Sequence, residues 1–243
     1  MLQPLEIKSL TLLDSATSTS EGLQALTIKS SPILKALNVP TSAKTTYIPY
    51  AKIPLVTDTA FVVGGLEIVR TPQTVVAPIT DETIEDAVCA VDTALADTLA
   101  MQARIDLENV IATKVKLDIA VTPLAGVEPT AVATVIGLLG EFDPMVFSID
   151  NPIYVATSYG NYFQLLASTE VSNLVVAGVL VLTPMSSLLP ADVVLLSAMG
   201  AKVSYEAYSV ERERVAGSGS SNIVVSGTFG SAFASTYVKR ATI

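Results

Sequence analysis

The spacing of apolar residues across 79–116 predicts a long helix. Apolar side chains recur there at helical intervals: Ile84, Ala87, Val88, Val91, Ala94, Leu95, Leu99, Ala103, Leu107, Val110 and Ile111. Pro78 precedes the start, and Thr80 is the predicted N-cap. Acidic residues crowd the first turns and lysines close the last turn, which complements the helix dipole. At 1.5 Å per residue the helix would be roughly 50 Å long, so it must span the molecule or form its backbone.

Residues 45–78 instead alternate with a period of two, which predicts an extended β-hairpin. Gly64–Gly65 is predicted to form its tight turn, because glycine adopts positive φ readily. Four prolines restrict these strands to sheet edges or projecting ribbons. We expect a ribbon with little core of its own, whose apolar residues rest on a neighbouring subunit: Phe61, Val62, Val63, Leu66, Ile68 and Val69.

Residues 1–44 are predicted to form an arm. The Ser/Thr-rich segment 14–21 cannot build a core by itself. Further along, Ser31 is a predicted N-cap and Pro32 occupies the first helical position, so a short helix should follow and stop near Pro40.

The chain after the long helix is predicted to alternate between short helices and strands. The predicted elements are a strand over 117–121, a helix over 130–139 ended by Gly140, a strand over 145–149, a helix over 153–167, a strand over 174–182 and an apolar segment of undecided type over 192–199. Two alternating strands, 202–214 and 223–242, are joined by residues 217–221. Phe229, Phe233 and Tyr237 are expected on one face of the second strand. The fold class is therefore α+β.

The composition indicates a subunit that assembles with copies of itself. Of the 243 residues, 50% are apolar and 15% are charged, against about 25% charged in ordinary soluble domains. Such a chain exposes apolar surface that other copies would cover. The net charge of −9 also disfavours a dedicated nucleic-acid binder, because a polyanion repels it.

The chain is short of catalytic and metal-binding residues. It has no histidine and a single cysteine, Cys89, whose predicted role is packing within the long helix. Asp118, Glu141, Asp143 and Asp150 match no metal-ligand spacing and are expected to be solvated or to cap helices. We therefore predict no enzyme activity, no catalytic residue, no cofactor and no metal.

Membrane insertion is not expected. The longest unbroken apolar run is Leu174–Leu182, nine residues, whereas a spanning helix needs about 20. The first ten residues have no basic region before an apolar stretch, so we expect no signal peptide and a protein made in a cytoplasm.

A run of alternating charges near the C-terminal end is a second candidate contact. On a strand, Glu211 and Glu213 would face one way and Arg212 and Arg214 the other. Either this is a solvated strand end, or it is a charge zipper between two copies. The sequence leaves both interpretations open.

The order of these elements resembles the major capsid proteins of tailed bacteriophages, which have the Hong Kong 97-like fold. The resemblance covers nearly the whole chain and lies in element order. In chain order, the segments that carry it are SPILKALNVP, TYIPYAKI, AFVVGGLEI, VVAPITDETIEDAVCAVDTALADTLAMQARIDLENV, VFSIDNPIYVATSYGNYFQLL, GVLVLTPMSSLLPADVVLLS, KVSYEAYSVERER and GTFGSAFASTYVKRATI.

The resemblance implies a division of the chain into an N-terminal arm at 1–44, an extended loop at 45–78, a peripheral domain with the spine helix at 79–141 and 206–243, and an axial domain at 142–205. It implies pentamers and hexamers of a shell that encloses DNA without tight binding, in a virion assembled in the host bacterial cytoplasm. Scaffolding would come from a separate protein or be absent, and portal and decoration proteins would be further partners where they are used. Some relatives cross-link Lys to Asn, but nothing identifies a partner for Lys44 or Lys52, so that chemistry is not carried over.

Two other functions stay open at this point. The same fold builds encapsulin-like bacterial nanocompartments, whose shells package enzymes. Another virion structural protein, such as a tail-tube subunit, is the third candidate, although it would lack so long a helix.

Overall fold

A computed structural model of the chain describes residues 16–41, 43–52, 63–80, 91–147, 150–185, 191–215, 217 and 219–243. Over these residues the buried apolar side chains form two cores. The first core surrounds a long helix and a three-stranded sheet, and the second lies against a four-stranded sheet. Helices and strands both contribute to each core, so the class is α+β, as predicted.

The described helices are α1 (Ala16–Ser30), α2 (Pro32–Leu37), α3 (Val91–Asp118), α4 (Ala131–Gly140), α5 (Tyr159–Ala167) and α6 (Thr169–Val176), with a 3-10 turn at Pro144–Val146. The described strands are β1 (Thr45–Ala51), β2 (Val63–Val69), β3 (Thr71–Thr80), β4 (Ile153–Thr157), β5 (Leu180–Pro184), β6 (Asp192–Ser197), β7 (Ala201–Val215), β8 (Ser220–Phe233) and β9 (Val238–Thr242).

Helix α3 is the backbone of the first core. Its 28 residues reach about 42 Å, and Leu99, Ala103, Leu107 and Ile111 form one buried stripe at helical spacing. The predicted N-cap at Thr80 is wrong, because Thr80 ends strand β3. The start of the predicted helix and Cys89 lie outside the described residues.

The far end of α3 also differs from the prediction. The helix continues to Asp118, so the predicted strand over 117–121 is wrong. Lys114 lies one turn before Asp118 and pairs with it, which supports a further helical turn. Only Val121 makes a β-bridge, to Arg240.

The arm is held by the first core rather than lying free of it. Its Ser/Thr-rich segment enters helix α1, which the sequence did not predict, and α1 packs on α3 and β7. Leu23 and Thr27 are buried, and the Thr27 hydroxyl donates to the Leu23 carbonyl, which satisfies it inside the helix. Helix α2 is confirmed: Ser31 accepts a hydrogen bond from the backbone N–H of Leu34 as its N-cap.

Strands β1 and β2 form a two-stranded antiparallel ribbon. The predicted turn at Gly64–Gly65 is wrong, because both glycines lie inside β2 and neither has a positive φ. Gly64 pairs with Tyr50, and a Cβ at Gly64 would collide with the Tyr50 ring. Glycine is needed here for close approach of an aromatic ring rather than for a turn.

The three-stranded sheet has the order β3-β8-β7. Strand β3 lies at its edge, as its two prolines predicted. The other edge is partly covered by the arm, because Val39 donates to the Val203 carbonyl and Gln24 accepts from the N–H of Ala207. A bulge at Tyr208 then interrupts the pairing of β7 with β8.

The four-stranded sheet has the order β5-β4-β6-β9 and lies between the two cores. All six residues of β6 are buried. Its side chains alternate between the cores: Val194 and Leu196 enter the first, and Val193 and Leu195 enter the second. A strand covered on both faces reads as a continuous apolar run, which is why its sequence pattern was undecided.

Three predicted elements of this region are wrong. Residues 145 and 146 lie in a 3-10 turn rather than a strand, and residues 148–149 lie outside the described residues. Residues 153–157 form β4 rather than the start of a helix, and α6 occupies the beginning of the predicted strand 174–182. Long-range pairing decides the second case, because β4 lies between β5 and β6. In the predicted strand 174–182, Gly178 adopts a φ of 74° and separates helix α6 from strand β5.

The two long C-terminal strands are confirmed over β7 and β8, but the second does not continue to residue 242 as one strand. The chain turns after Phe233, and β9 then pairs with β6 in the four-stranded sheet. The predicted common face is wrong, because Phe229 and Phe233 pack in the first core and Tyr237 in the second.

A buried carboxylate joins the spine helix to the four-stranded sheet. The Asp192 side chain is 4% exposed, and its oxygens lie 3.1 Å from Lys116 Nζ and 3.2 Å from Arg240 Nη2. Lys116 comes from α3 and Arg240 from β9, so one residue of β6 fixes both elements. Removing that carboxylate would leave two cations unneutralised.

Candidate subunit interface

The outward face of the ribbon is exposed and largely apolar. Val63 is 54% exposed and Val69 50%. Between them lies Tyr47, whose cross-strand partner is Glu67. A hydrogen bond to the Glu67 carboxylate, helped by its charge, raises the pKa of Tyr47. This face carries a single acid among uncharged side chains, which suits contact with another protein surface.

The inward face of the ribbon rests on the chain's own second core. Leu66 is 6% exposed and Ile68 is fully buried, and both belong to that core. The chain itself therefore buries these two residues, and they need no neighbour to cover them. A β-ribbon has two faces, and only the other one is available to a second copy.

The base of the ribbon is held by polar contacts. Arg70 lies between β2 and β3 with its side chain buried, where it donates to the Ala43 carbonyl and pairs with Glu206 of β7. At the other end of β1, the Tyr237 hydroxyl donates to the Ala51 carbonyl at 2.6 Å. These contacts fix where the ribbon leaves the body of the molecule.

The ribbon residues predicted to contact a neighbouring subunit lie on both faces of the ribbon. Val63 and Gly65 lie on the exposed face, whereas Gly64 and Leu66 face the chain itself. Phe61 and Val62 lie outside the described residues. For all six positions, a contact with a neighbouring subunit stays a prediction.

The charged run lies on strand β7, as predicted. Glu211 and Glu213 are exposed, and the run pairs with residues 221–224 of β8. Arg212 and Arg214 alternate with the two acids along the strand. Whether the run contacts a second copy stays a prediction.

Two of the four acidic residues considered as ligands have ordinary roles. The Asp143 carboxylate accepts from the Met145 N–H as the cap of the 3-10 turn, and Asp118 pairs with Lys114 at 2.9 Å. Among the described residues, no group of acids and cysteines is arranged to hold a metal ion. No helix in the same part of the chain combines the length and apolarity that crossing a bilayer requires.

One exposed apolar surface was not recognised from the sequence. Tyr159, Phe163 and Leu166 lie on α5 and are 46%, 64% and 46% exposed. Their spacing is helical, but a helical apolar stripe in a sequence predicts a buried face. Only the packing shows that these three side chains point away from the core.

No protein-family model matches the sequence, and no curated protein matches it. Solved structures do match in fold. A virus-like particle from Pyrococcus furiosus aligns with a TM-score of 0.62 and 13% identity over 93% of this chain and 98% of that chain. The procapsid of satellite phage P4 with its size determination protein aligns with a TM-score of 0.57 and 13% identity over 91% of this chain and 98% of that chain. A chain of Mycobacterium phage Cain aligns with a TM-score of 0.55 and 14% identity over 88% of this chain and 89% of that chain.

Each of these alignments covers almost the full length of both chains. The chain has the Hong Kong 97-like capsid fold, which confirms the fold predicted from the order of its elements.

Proposed function

We propose that this protein is the major capsid protein of a tailed bacteriophage and assembles into the icosahedral shell that encloses its double-stranded DNA. The observation that carries the proposal is the fold, which matches particle-forming chains over nearly their whole length. The exposed apolar faces of the ribbon and of α5 add support, because a charge-poor monomer gains stability when they are covered.

In this proposal the regions predicted from sequence have distinct roles. The arm, the extended loop and the peripheral domain make contacts between neighbouring subunits, and the axial domain closes pentamers and hexamers. The exposed face of β2 and the Glu211–Arg214 run on β7 are the contacts we assign to the loop and the peripheral domain. Portal, scaffolding and decoration proteins are further partners, the protein has no enzymatic role, and its location is the virion.

The shell would hold DNA by confinement rather than by tight binding. A net charge of −9 provides few of the Lys and Arg contacts to phosphate on which strong binding depends. We expect no nanomolar binding to linear duplex DNA at physiological salt. Such binding, with a steep salt dependence, would contradict this part of the proposal.

Sedimentation and negative-stain electron microscopy of the purified protein test the proposal directly. We expect closed shells at micromolar concentration. A 25.4 kDa monomer under all salt conditions would overturn the proposal.

Replacing Arg212 and Arg214 with Ala tests the charge zipper. Exposed ion pairs contribute about 0–1 kcal/mol each, but a shell repeats every contact. We expect the double variant to lower the melting temperature of shells more than that of unassembled subunits. Equal losses in shell and subunit would favour a solvated strand end.

A nanocompartment shell is the second candidate, favoured by the likeness to the Pyrococcus furiosus particle. The two functions differ in what the shell contains. Particles purified from the native host should hold nuclease-protected DNA if the protein is a phage capsid. A single co-purifying enzyme in place of DNA would favour the nanocompartment.

A further inference from the structure

Helix α5 has a buried side and an exposed apolar side. Toward the core it places Leu165, fully buried, and Asn161. On the outward side Tyr159, Phe163 and Leu166 fall within about 60° of arc at 100° per residue, a set we call the α5 stripe. The Phe163 ring also meets Tyr162 edge to face at 5.5 Å between centroids. Three large apolar side chains exposed side by side on one helix face form a patch that favours a covering surface.

The charge distribution indicates what covers it. Between Asp150 and Asp192 the sequence has one charged residue, Glu170, and α5 has none. Nucleic acid or an acidic or basic peptide would find almost no complementary charge there. Two copies of this chain, each of net charge −9, repel one another in general, but they meet little repulsion across a surface with so few charges.

We propose that the α5 stripe is a contact between copies of this chain, and that Phe163 is its central residue. The inference rests on the proposed function and deepens it by naming one surface through which subunits join. The contact is apolar, so it should persist at high salt, unlike a contact made by the Glu211–Arg214 run.

The test compares two neighbouring positions on one helix. Phe163→Glu places a charge in the stripe, and Gln164→Glu places the same charge about 100° away on an exposed position. We expect Phe163→Glu to reduce the yield of assembled particles at least tenfold, while its circular dichroism and urea midpoint as an unassembled chain match the wild type. Gln164→Glu should assemble normally. Equal assembly of the two variants, or equal loss, would overturn the proposal.

A second measurement covers the case in which Phe163→Glu fails to fold. Phe163→Cys in a Cys89→Ser background is labelled with a maleimide before and after assembly, with Gln164→Cys as control. We expect labelling of residue 163 to slow at least tenfold on assembly, and more than labelling of residue 164. Equal slowing at both positions, or none at 163, would contradict the stripe as a contact.

The wild-type result separates this inference from the proposed function. Closed wild-type shells that tolerate Phe163→Glu would sustain the proposed function and overturn the stripe. Small wild-type oligomers that Phe163→Glu dissociates would sustain the stripe and overturn the shell. A wild-type chain that stays monomeric would overturn both.

Discussion

The Tyr237 hydroxyl donates a hydrogen bond to the backbone carbonyl of Ala51, 186 positions earlier in the chain. The Tyr237 ring also meets Tyr50 edge to face, with 5.9 Å between ring centroids. One side chain from the turn before β9 therefore holds the outer end of β1. Burial, followed by the charges of Tyr50 and Asp143, raises the pKa of Tyr237, so the phenol keeps its donor proton throughout the neutral range.

Tyr237→Phe should loosen the ribbon without unfolding the molecule. It removes one hydrogen bond and keeps the ring, so we expect a loss of about 1 kcal/mol in the free energy of unfolding and faster amide hydrogen exchange in β1. Tyr208→Phe is the control, because Tyr208 is exposed on β7 and does not belong to the ribbon. Unchanged exchange in β1 of Tyr237→Phe would show that the hydroxyl does not hold it.

Gly200→Ala should be strongly destabilising. A Cβ at Gly200 would overlap Tyr237 ring carbons and its Cβ, and that ring is held by both contacts described above. We expect a loss of about 1–3 kcal/mol, measured by urea unfolding of the unassembled chain. Gly22→Ala, inside α1 with open space around it, should instead leave stability equal or slightly raised. A neutral Gly200→Ala would mean that Tyr237 moves easily.

Asp192→Asn should cost far more than Asp118→Asn. The first change removes the negative charge between Lys116 and Arg240, and we expect a loss near the lower end of about 3–5 kcal/mol, since both cations keep some access to water. The second removes an exposed pair with Lys114, worth less than about 0.5 kcal/mol. Chemical denaturation of both variants checks the difference. Similar losses would contradict a structural role for the buried cluster.

The packing of the arm should depend on pH through Glu108. This side chain is 1% exposed on α3; burial raises its pKa, while the Ser31 hydroxyl and Arg104 act in the opposite direction. A raised pKa means that the folded state takes up the proton first, so the fold gains stability as pH falls through that pKa. Relative to Glu108→Gln, the wild type should therefore gain stability as the pH falls from 7 toward the ordinary carboxyl pKa of 4.5.

Urea midpoints measured across that range, with Glu128→Gln as an exposed control, test the expectation. A constant difference between wild type and Glu108→Gln at all pH values would exclude a raised pKa at this position.

Elements with local signals were predictable from the sequence. The Ser31-Pro32 start of α2 and the buried stripe of α3 depend on neighbours within a few residues, and both are present. The start of β4 was not predictable, because Ile153–Thr157 becomes a strand through pairing with β5 and β6. Gly64 shows a second limit: a turn and a close approach to Tyr50 need the same residue type, and only the fold distinguishes them.

The candidate contact surfaces were also only partly predictable from the sequence. Alternation identified the ribbon, but it did not say which face the chain covers itself, so Leu66 was assigned to a neighbour although it lies in the second core. The α5 stripe was visible as spacing, yet spacing alone does not distinguish an inward from an outward stripe. In both cases the missing information was the position of the core.

The division of the C-terminal region between two sheets has a consequence for synthesis. Strand β8 is the central strand of the three-stranded sheet, and β9, after a short turn, completes the four-stranded sheet. Neither sheet can close until residues 220–242 have left the ribosome, so the two halves cannot fold one after the other during translation. A nascent chain still lacking this segment has neither of these two sheets complete. A subunit therefore becomes competent to assemble only after residues 220–242 have been synthesised, although the arm and ribbon are synthesised much earlier.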